Sequence, residues 1–247
     1  ADKHIHDCRT ELQRFMGTKP YEIVAEPNLK SGKKVYIVKR VTPVPALICA
    51  IAGDALQNLR TALDYMAHGL VIANDGKVTS DTSFPILKGD IGSEVYKPAF
   101  DRKVDGMRGD VIEKIKSLKP YKGGDDILWR LHAMNIRDKH RLLVAGGCAV
   151  STFKPDPLEK RVNLSLEEIA QAFDDAIVMV LGAFPLYQGQ EILVDPPPAE
   201  PDQNVGLLGE VAVSESEKAA PISLVLLLRR CRRRVWQILV EFGQFLR

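Results

Sequence analysis

Hydrophobic and polar positions follow two different periods along this chain. Over residues 45–73, apolar side chains recur every three to four positions, which predicts one long amphipathic helix. The same period returns over 4–16, 108–118, 125–141 and 221–246, so these segments are predicted to be helices as well. The spacing therefore indicates a chain rich in helix, with the longest helix in its first third.

Other stretches are rich in β-branched and aromatic residues and alternate with a period of two. Residues 21–41 contain two such runs around a Pro, Asn and Gly loop, which predicts a hairpin. Further strand candidates are LLVAGGCAVSTF, EILVDPPP and VGLLGEVAV, with a short helix at 165–175, whereas 74–105 is rich in loops. We predict an α+β fold over residues 1–247 as a single domain: long helices packed on a small antiparallel sheet, with an N-terminal hairpin and a C-terminal amphipathic helix.

Composition narrows the function classes only a little. Of 247 residues, 45% are hydrophobic and 27% charged, which is ordinary for a globular protein, and a net charge of +2 does not by itself imply a nucleic-acid partner. The four cysteines stand apart, so neither a zinc knuckle nor a disulfide scaffold is predicted, and we expect no metal. Glycine-rich phosphate-binding motifs are absent, so we expect no cofactor. With neither a signal peptide nor an apolar run of membrane-spanning length, we expect a cytoplasmic protein with no transmembrane segment.

The long helix predicted at 45–73 carries a polar row opposite its apolar stripe. Arg60, Asp64 and His68 follow one another at intervals of four residues, so their side chains can touch in series. One interpretation is a solvated face with local ion pairs, and the other is a site in which Asp64 orients His68 as an acid or base. The apolar stripe is predicted to contain Ile51, Ala55, Leu59, Ala62, Leu63, Met66 and Leu70.

The helix predicted at 125–141, with Asp125 or Asp126 as its N-cap, ends in the charged stretch RDKHR. Asp138 falls on the continuation of an apolar stripe, so its carboxylate is predicted to be buried and to need a partner. In one interpretation Asp138 and His140 enter the interior while neighbouring cations face a cleft for an anion. In the other, Asp138 is a structural acid and the basic residues complement the helix dipole. The stripe contains Ile127, Leu131 and Met134, and the cations that would face the cleft are Arg130, Arg137 and Arg141.

The C-terminal helix combines an apolar face with a run of arginines. Docking on the body with an exposed basic face is one interpretation, and binding to an anionic membrane surface, an acidic partner or RNA phosphate is the other. Few aromatic residues accompany the arginines, which argues against a base-stacking platform. The apolar face is predicted to contain Leu224, Leu228, Cys231, Val235, Ile238, Phe242 and Leu246, and the arginine run is Arg229, Arg230, Arg232, Arg233 and Arg234.

The segments GDALQNLRTALDYMAHGLV, FPI and NIRDKHR, within roughly residues 45–145, resemble a pattern found in uncharacterised bacterial proteins. The resemblance implies no particular reaction. It marks as motif positions Gly53, Asp54, Asn58, Arg60, Asp64, Asp138, Lys139, His140 and Arg141.

A looser likeness is to the helical HEPN ribonucleases, in which an Arg and a His on one helix cleave RNA without a metal. Here seven residues separate Arg60 from His68 and two separate Arg137 from His140, and neither spacing matches that motif.

Three hypotheses follow from these residues. The leading one is a polar pocket between the two central helices that binds a small anionic or phosphate-bearing ligand. The second is metal-independent cleavage of RNA, and the third is a structural or partner-binding module with the arginine run as its interface. The candidate catalytic residues are Arg60, His68 and His140, and the candidate ligand-binding residues are Asn58, Asp64, Asp138, Lys139 and Arg141.

Overall fold

A computed structural model describes most of the chain in seven stretches. These are residues 1–27, 34–140, 145–152, 179–180, 185–192, 206–214 and 222–246. The helices are α1 (Asp2–Gly17), α2 (Ala46–Ile72), α3 (Lys97–Val104), α4 (Gly109–Ser117), α5 (Asp126–His140) and α6 (Leu224–Phe242), which continues as a 3₁₀ turn (Gly243–Leu246). The strands are β1 (Tyr21–Pro27), β2 (Lys34–Val41), β3 (Ala145–Thr152), β4 (Met179–Val180), β5 (Glu191–Ile192), β6 (Gly206–Val213) and β7 (Ile222–Ser223).

The presence of helices together with antiparallel strands confirms the α+β class. These elements fall into two compact units. Unit 1 holds the central helices and comprises Ala1–Arg9, Ala46–Leu143 and Leu227–Arg247. Unit 2 holds the strands and comprises Thr10–Pro45 and Val144–Leu226. That the whole chain is one domain stays a prediction.

Helix α2 is the centre of unit 1 and packs against α5. Five of the seven predicted stripe residues are buried, whereas Ile51 and Ala62 are only half-buried. The buried face is wider than a single stripe because Cys49, Ala52 and Leu56 are also covered. Much of α2 is therefore interior helix, whereas Asp54 and Asn58 remain exposed on its outer side.

The inner face of α6 is as predicted until the α-helix ends. Its predicted apolar residues up to Phe242 are all buried, but Leu246 is 44% exposed. The tighter 3₁₀ turn rotates Leu246 off the α-helical face, and there its Cδ2 atom lies 2.9 Å from where a Cβ on Gly69 would stand. Gly69 thus gives the end of the chain room to lie against α2.

Unit 2 contains two antiparallel sheets. The predicted hairpin is confirmed: β1 pairs with β2, with an irregularity between Glu22 and Ile23, and β5 extends the sheet in the order β1-β2-β5. The second sheet has the order β4-β3-β6-β7. The Tyr21 ring lies so close to Gly147 that a Cβ there would be 2.5 Å from it.

Two further predictions concern short elements. The stretch at 74–105 contains helix α3, which the sequence did not reveal because two turns with two buried residues, Phe100 and Val104, are too short to show a period. The N-cap prediction is confirmed, since Asp125 Oδ1 accepts the main-chain N–H groups of Ile127 and Leu128 at 3.1 and 3.0 Å. The short helix predicted at 165–175 lies outside the described residues.

Among the described helices, none has the length and apolar character needed to cross a membrane.

Candidate functional site

The first two residues of the polar row hold a main-chain peptide of a neighbouring segment. Arg60 Nη2 donates to Asp64 Oδ1 at 2.8 Å and to the carbonyl oxygen of Phe84 at 2.6 Å. The same oxygen of Asp64 accepts the main-chain N–H of Phe84 at 2.9 Å. The ion pair therefore holds Phe84 by both of its main-chain polar groups, and it fixes the position of the FPI segment against α2.

His68 continues the row one turn further along. Its Nε2 donates to the carbonyl oxygen of Thr82 at 3.0 Å, and because a carbonyl only accepts, this nitrogen carries the proton. Thr82 is itself buried, and its hydroxyl accepts the main-chain N–H of Thr79 at 3.0 Å. Among the described residues there is no hydrogen bond between Asp64 and His68, so each serves a different part of the segment at 82–84.

The interpretation of this face as solvated is wrong at Arg60. Its side chain is only 8% exposed, because the segment that carries Phe84 lies across it. Asp64 and His68 are half-buried, and Asn58, two residues before Arg60, is exposed. The helical period placed Arg60, Asp64 and His68 on one face, but a period in α2 does not reveal that a loop some twenty residues later covers part of that face.

One nitrogen of the Arg60 guanidinium is buried without a partner. Nη2 makes both of the bonds described above, whereas Nη1 has no hydrogen-bond partner among the residues that the structure describes. Burial lowers the pKa of Arg60, and the nearby Asp64 carboxylate partly opposes this shift. Because a buried N–H without an acceptor is costly, Nη1 is a position where a water oxygen or an anion would be stabilised.

Two residues that the sequence did not single out belong to the same cluster. Lys103, on α3, donates from Nζ to Ser83 Oγ at 2.9 Å, and the main-chain N–H of Ser83 donates to the Lys103 carbonyl at 3.3 Å. Burial lowers the pKa of Lys103, the charge of Arg60 lowers it further, and Asp64 and Asp81 oppose the shift. Lys103 was missed because it lies on the helix whose short length hid it. Ser83 could have been found in the sequence from its position directly before the FPI segment.

The charged end of α5 is described only in part. The main chain of α5 reaches His140, but the side chains of Asp138, Lys139 and His140 are outside the described part, and Arg141 lies outside the described residues altogether. Their predicted roles stay predictions. Three residues before Asp138, Asn135 is 3% exposed, and its Oδ1 has no hydrogen-bond partner among the described residues.

The arginine run contains both surface and structural members. Arg234 Nε donates to Asp125 Oδ2 at 2.6 Å, so the residue that caps α5 also anchors α6. Arg232 pairs with Asp2, and their hydrogen bond raises the pKa of Arg232 and lowers that of Asp2. Arg229 and Arg233 are exposed and Arg230 is half-buried. At least two of the five arginines therefore have acidic partners within unit 1.

Comparisons with known proteins do not assign this cluster. No family model matches the chain, and neither does any curated protein or solved structure. Within the described stretches, no three His, Cys, Asp or Glu side chains come together in a way that could hold a metal ion.

Proposed function

We propose that the protein binds an anionic or phosphate-bearing ligand at the polar row of α2. The observation that carries this proposal is the buried Nη1 of Arg60, a charged donor that has no acceptor among the described residues. Nη2 of the same guanidinium is held by Asp64 and by the Phe84 carbonyl, so the guanidinium is fixed before any ligand arrives. An anion at Nη1 would gain a charge-assisted hydrogen bond without having to order the side chain.

The charge around Arg60 supports an anion rather than a neutral ligand. Lys103 is half-buried, and its pKa is lowered partly by the charge of Arg60, so the two cations affect each other. One carboxylate, that of Asp64, is already used by Arg60 and Phe84. A second negative charge would relieve the repulsion between the two cations, and a phosphate group has the oxygens to contact both.

The remaining members of the proposed site come from the sequence alone. Asp138, Lys139 and Arg141 would supply charge and orientation from the end of α5, and His68 or His140 would act as an acid or base. Asn58 is exposed and stays a predicted ligand residue, although the helical period turns it almost to the opposite side of α2 from Arg60. A cytoplasmic location and a bacterial origin belong to this proposal too, since they rest on the sequence patterns.

The proposal is tested with inorganic pyrophosphate, a compact polyanion, by following the melting temperature of the protein as its concentration is raised. We expect wild type to be stabilised and Lys103→Met to lose most of this shift. Lys116→Met is the matched control, because it removes one positive charge from an exposed lysine on α4 that pairs with Glu113. Equal shifts in both variants would contradict the proposal, since only non-specific charge would then be at work.

A second candidate function is structural, because Arg60 and Asp64 satisfy both polar groups of Phe84. In this view the row attaches the FPI segment to α2 and needs no ligand. Replacing Asp64 by Asn would then lower the melting temperature, and pyrophosphate would stabilise neither wild type nor variant. The remaining hypothesis, cleavage of RNA without a metal, is tested by incubating the protein with RNA in EDTA. Cleavage that is lost in folded Arg60→Lys and His68→Ala variants would favour it over simple binding.

A further inference from the structure

The polar row of α2 is attached to Thr82 and to Phe84, and these two attachments fix the residue between them, Ser83. Thr82 is held at its carbonyl by His68, and Phe84 is held at its N–H and carbonyl by Asp64 and Arg60. Ser83 stands between them, and its own N–H bonds to the carbonyl of Lys103. Four main-chain groups around one half-buried serine are thus bonded to three helical side chains and to α3.

We propose that Ser83 is a nucleophile and Lys103 its general base, and that together they form a serine–lysine dyad for acyl transfer. The geometry is that of a nucleophile and its base, since Oγ of Ser83 and Nζ of Lys103 are 2.9 Å apart. The carbonyl oxygen of Asp81, 3.3 Å from the same hydroxyl, provides a resting acceptor for its proton. The fixed main chain on both sides holds the Cα and Cβ atoms of Ser83 close to the lysine, so that only rotation about χ1 can move Oγ.

The reaction needs no metal or redox partner. Ser83 Oγ attacks the carbonyl carbon of an ester while its proton passes to neutral Lys103 Nζ, and the C–O bond to the alcohol breaks as Nζ returns that proton to the departing oxygen. Water then attacks the acyl-serine and gives one proton to Lys103. The C–Oγ bond breaks, the acid departs, and Ser83 Oγ regains its proton from Nζ. Atoms and charges balance over the cycle.

The substrate class rests on the proposed function, because Arg60 is bonded to the carbonyl of the residue next to Ser83. A buried guanidinium nitrogen there would stabilise negative charge on the carbonyl oxygen that forms during attack, or on an anionic group of the substrate. The substrate is therefore inferred to be an ester with an anionic group close to its acyl carbon. Lys103 acts in its neutral form, so the reaction speeds up as pH rises through its pKa, which lies below the usual value for lysine.

A fluorophosphonate reagent tests the dyad directly, because it traps an activated serine by displacement of fluoride. The full chain is treated between pH 7 and 10, and the labelled residue is identified by peptide mass spectrometry. We expect label on Ser83, at a rate that rises with pH, none at that position in Ser83→Ala, and a rate at least tenfold lower in Lys103→Met. Ser93→Ala is the matched control, since Ser93 is a half-buried loop serine whose hydroxyl bonds to the Asp90 carbonyl, and it should be labelled like wild type.

Lys103→Arg separates a base from a structural contact. Arginine can keep the hydrogen bond and the charge but does not give up its proton, so a folded Lys103→Arg variant should be labelled as slowly as Lys103→Met. Wild-type labelling in either lysine variant, or no label on Ser83 at any pH, would overturn the dyad. Those results would leave stabilisation by pyrophosphate unchanged, whereas failure of the proposed function would remove that stabilisation and leave labelling of Ser83 intact.

Discussion

Two charged clusters on helices of unit 1 have different surroundings. The polar row of α2 places Arg60 and Asp64 four residues apart, and a loop covers them, so that the arginine side chain is 8% exposed. The arginine run of α6 places Arg232 and Asp2 in an ion pair whose side chains are 54% and 72% exposed. The same type of charge pair is thus part of the interior in one helix and part of the surface in the other.

The difference shows that the types of the two charged residues do not determine what their ion pair does. Both helices present an apolar face and a charged face, and the period of each is visible in the sequence. What distinguishes them is whether another segment crosses the charged face, and that depends on contacts such as Phe84 with Arg60, 24 residues apart. A covered pair must satisfy its neighbours, whereas an exposed pair is largely solvated.

The largest expected effect is at the covered pair. Arg60→Met should lower the free energy of unfolding by about 3 kcal/mol, because it removes the charged donor that the Asp64 carboxylate and the buried Phe84 carbonyl share and leaves each with a main-chain N–H alone. Urea denaturation of wild type and variant measures it. Arg108→Met is the control, since this arginine pairs with Asp110 at the surface, and it should change stability little. If the two variants unfolded alike, the contrast between covered and exposed pairs would not hold.

A second test compares two arginines of the arginine run, Arg234 and Arg232. Arg234→Met should cost about 1.5 kcal/mol, because it breaks a charge-assisted bond to an aspartate that also caps α5. Arg232→Met removes the same charge from the same helix and should cost about 0.5 kcal/mol or less, since its partner is exposed. Urea denaturation in low salt compares the two. Equal losses would mean that Arg234 is no more structural than its neighbour.

A third test measures how the stability of the protein depends on pH through Cys231, on the buried face of α6. Burial raises the pKa of the Cys231 thiol from 9.0 to about 12, so the folded state holds this proton more tightly than the unfolded state. The resulting stability is fully present below pH 9 and is lost as pH rises towards 12. Between pH 9 and pH 12, the free energy of unfolding should therefore fall by about 1.4 kcal/mol per pH unit. The slope of unfolding free energy against pH should be smaller in Cys231→Ala. An identical slope in the variant would show that other groups account for the alkaline loss.

A further small effect is expected at the last residue of the polar row. His68→Leu removes the donor to the buried Thr82 carbonyl and should cost about 1 kcal/mol. His68→Gln retains an N–H donor and should recover part of that loss. The comparison is made by urea denaturation at pH 8. Were leucine and glutamine equivalent, the contact with Thr82 would contribute nothing to the stability of the row.

The sequence predicted the regular part of the fold well, because long helices and the hairpin have periods that repeat several times. The bounds of α2 and α5 agree with prediction to within a residue. Helix α3 was missed because it is short, and with it Lys103. The candidate site was predicted as a set of residues, but the burial of Arg60 and the role of Ser83 depend on contacts between segments distant in the chain, which no local pattern contains.

The attachment of Phe84 also provides a spectroscopic marker. Its amide hydrogen is bonded to the carboxylate of Asp64 rather than to a carbonyl of a regular element, and the side chain of Phe84 is fully buried. Pro85, which follows, has no amide hydrogen of its own. Exchange of this single proton with deuterated solvent therefore reports when the segment separates from α2, independently of unfolding elsewhere in the molecule.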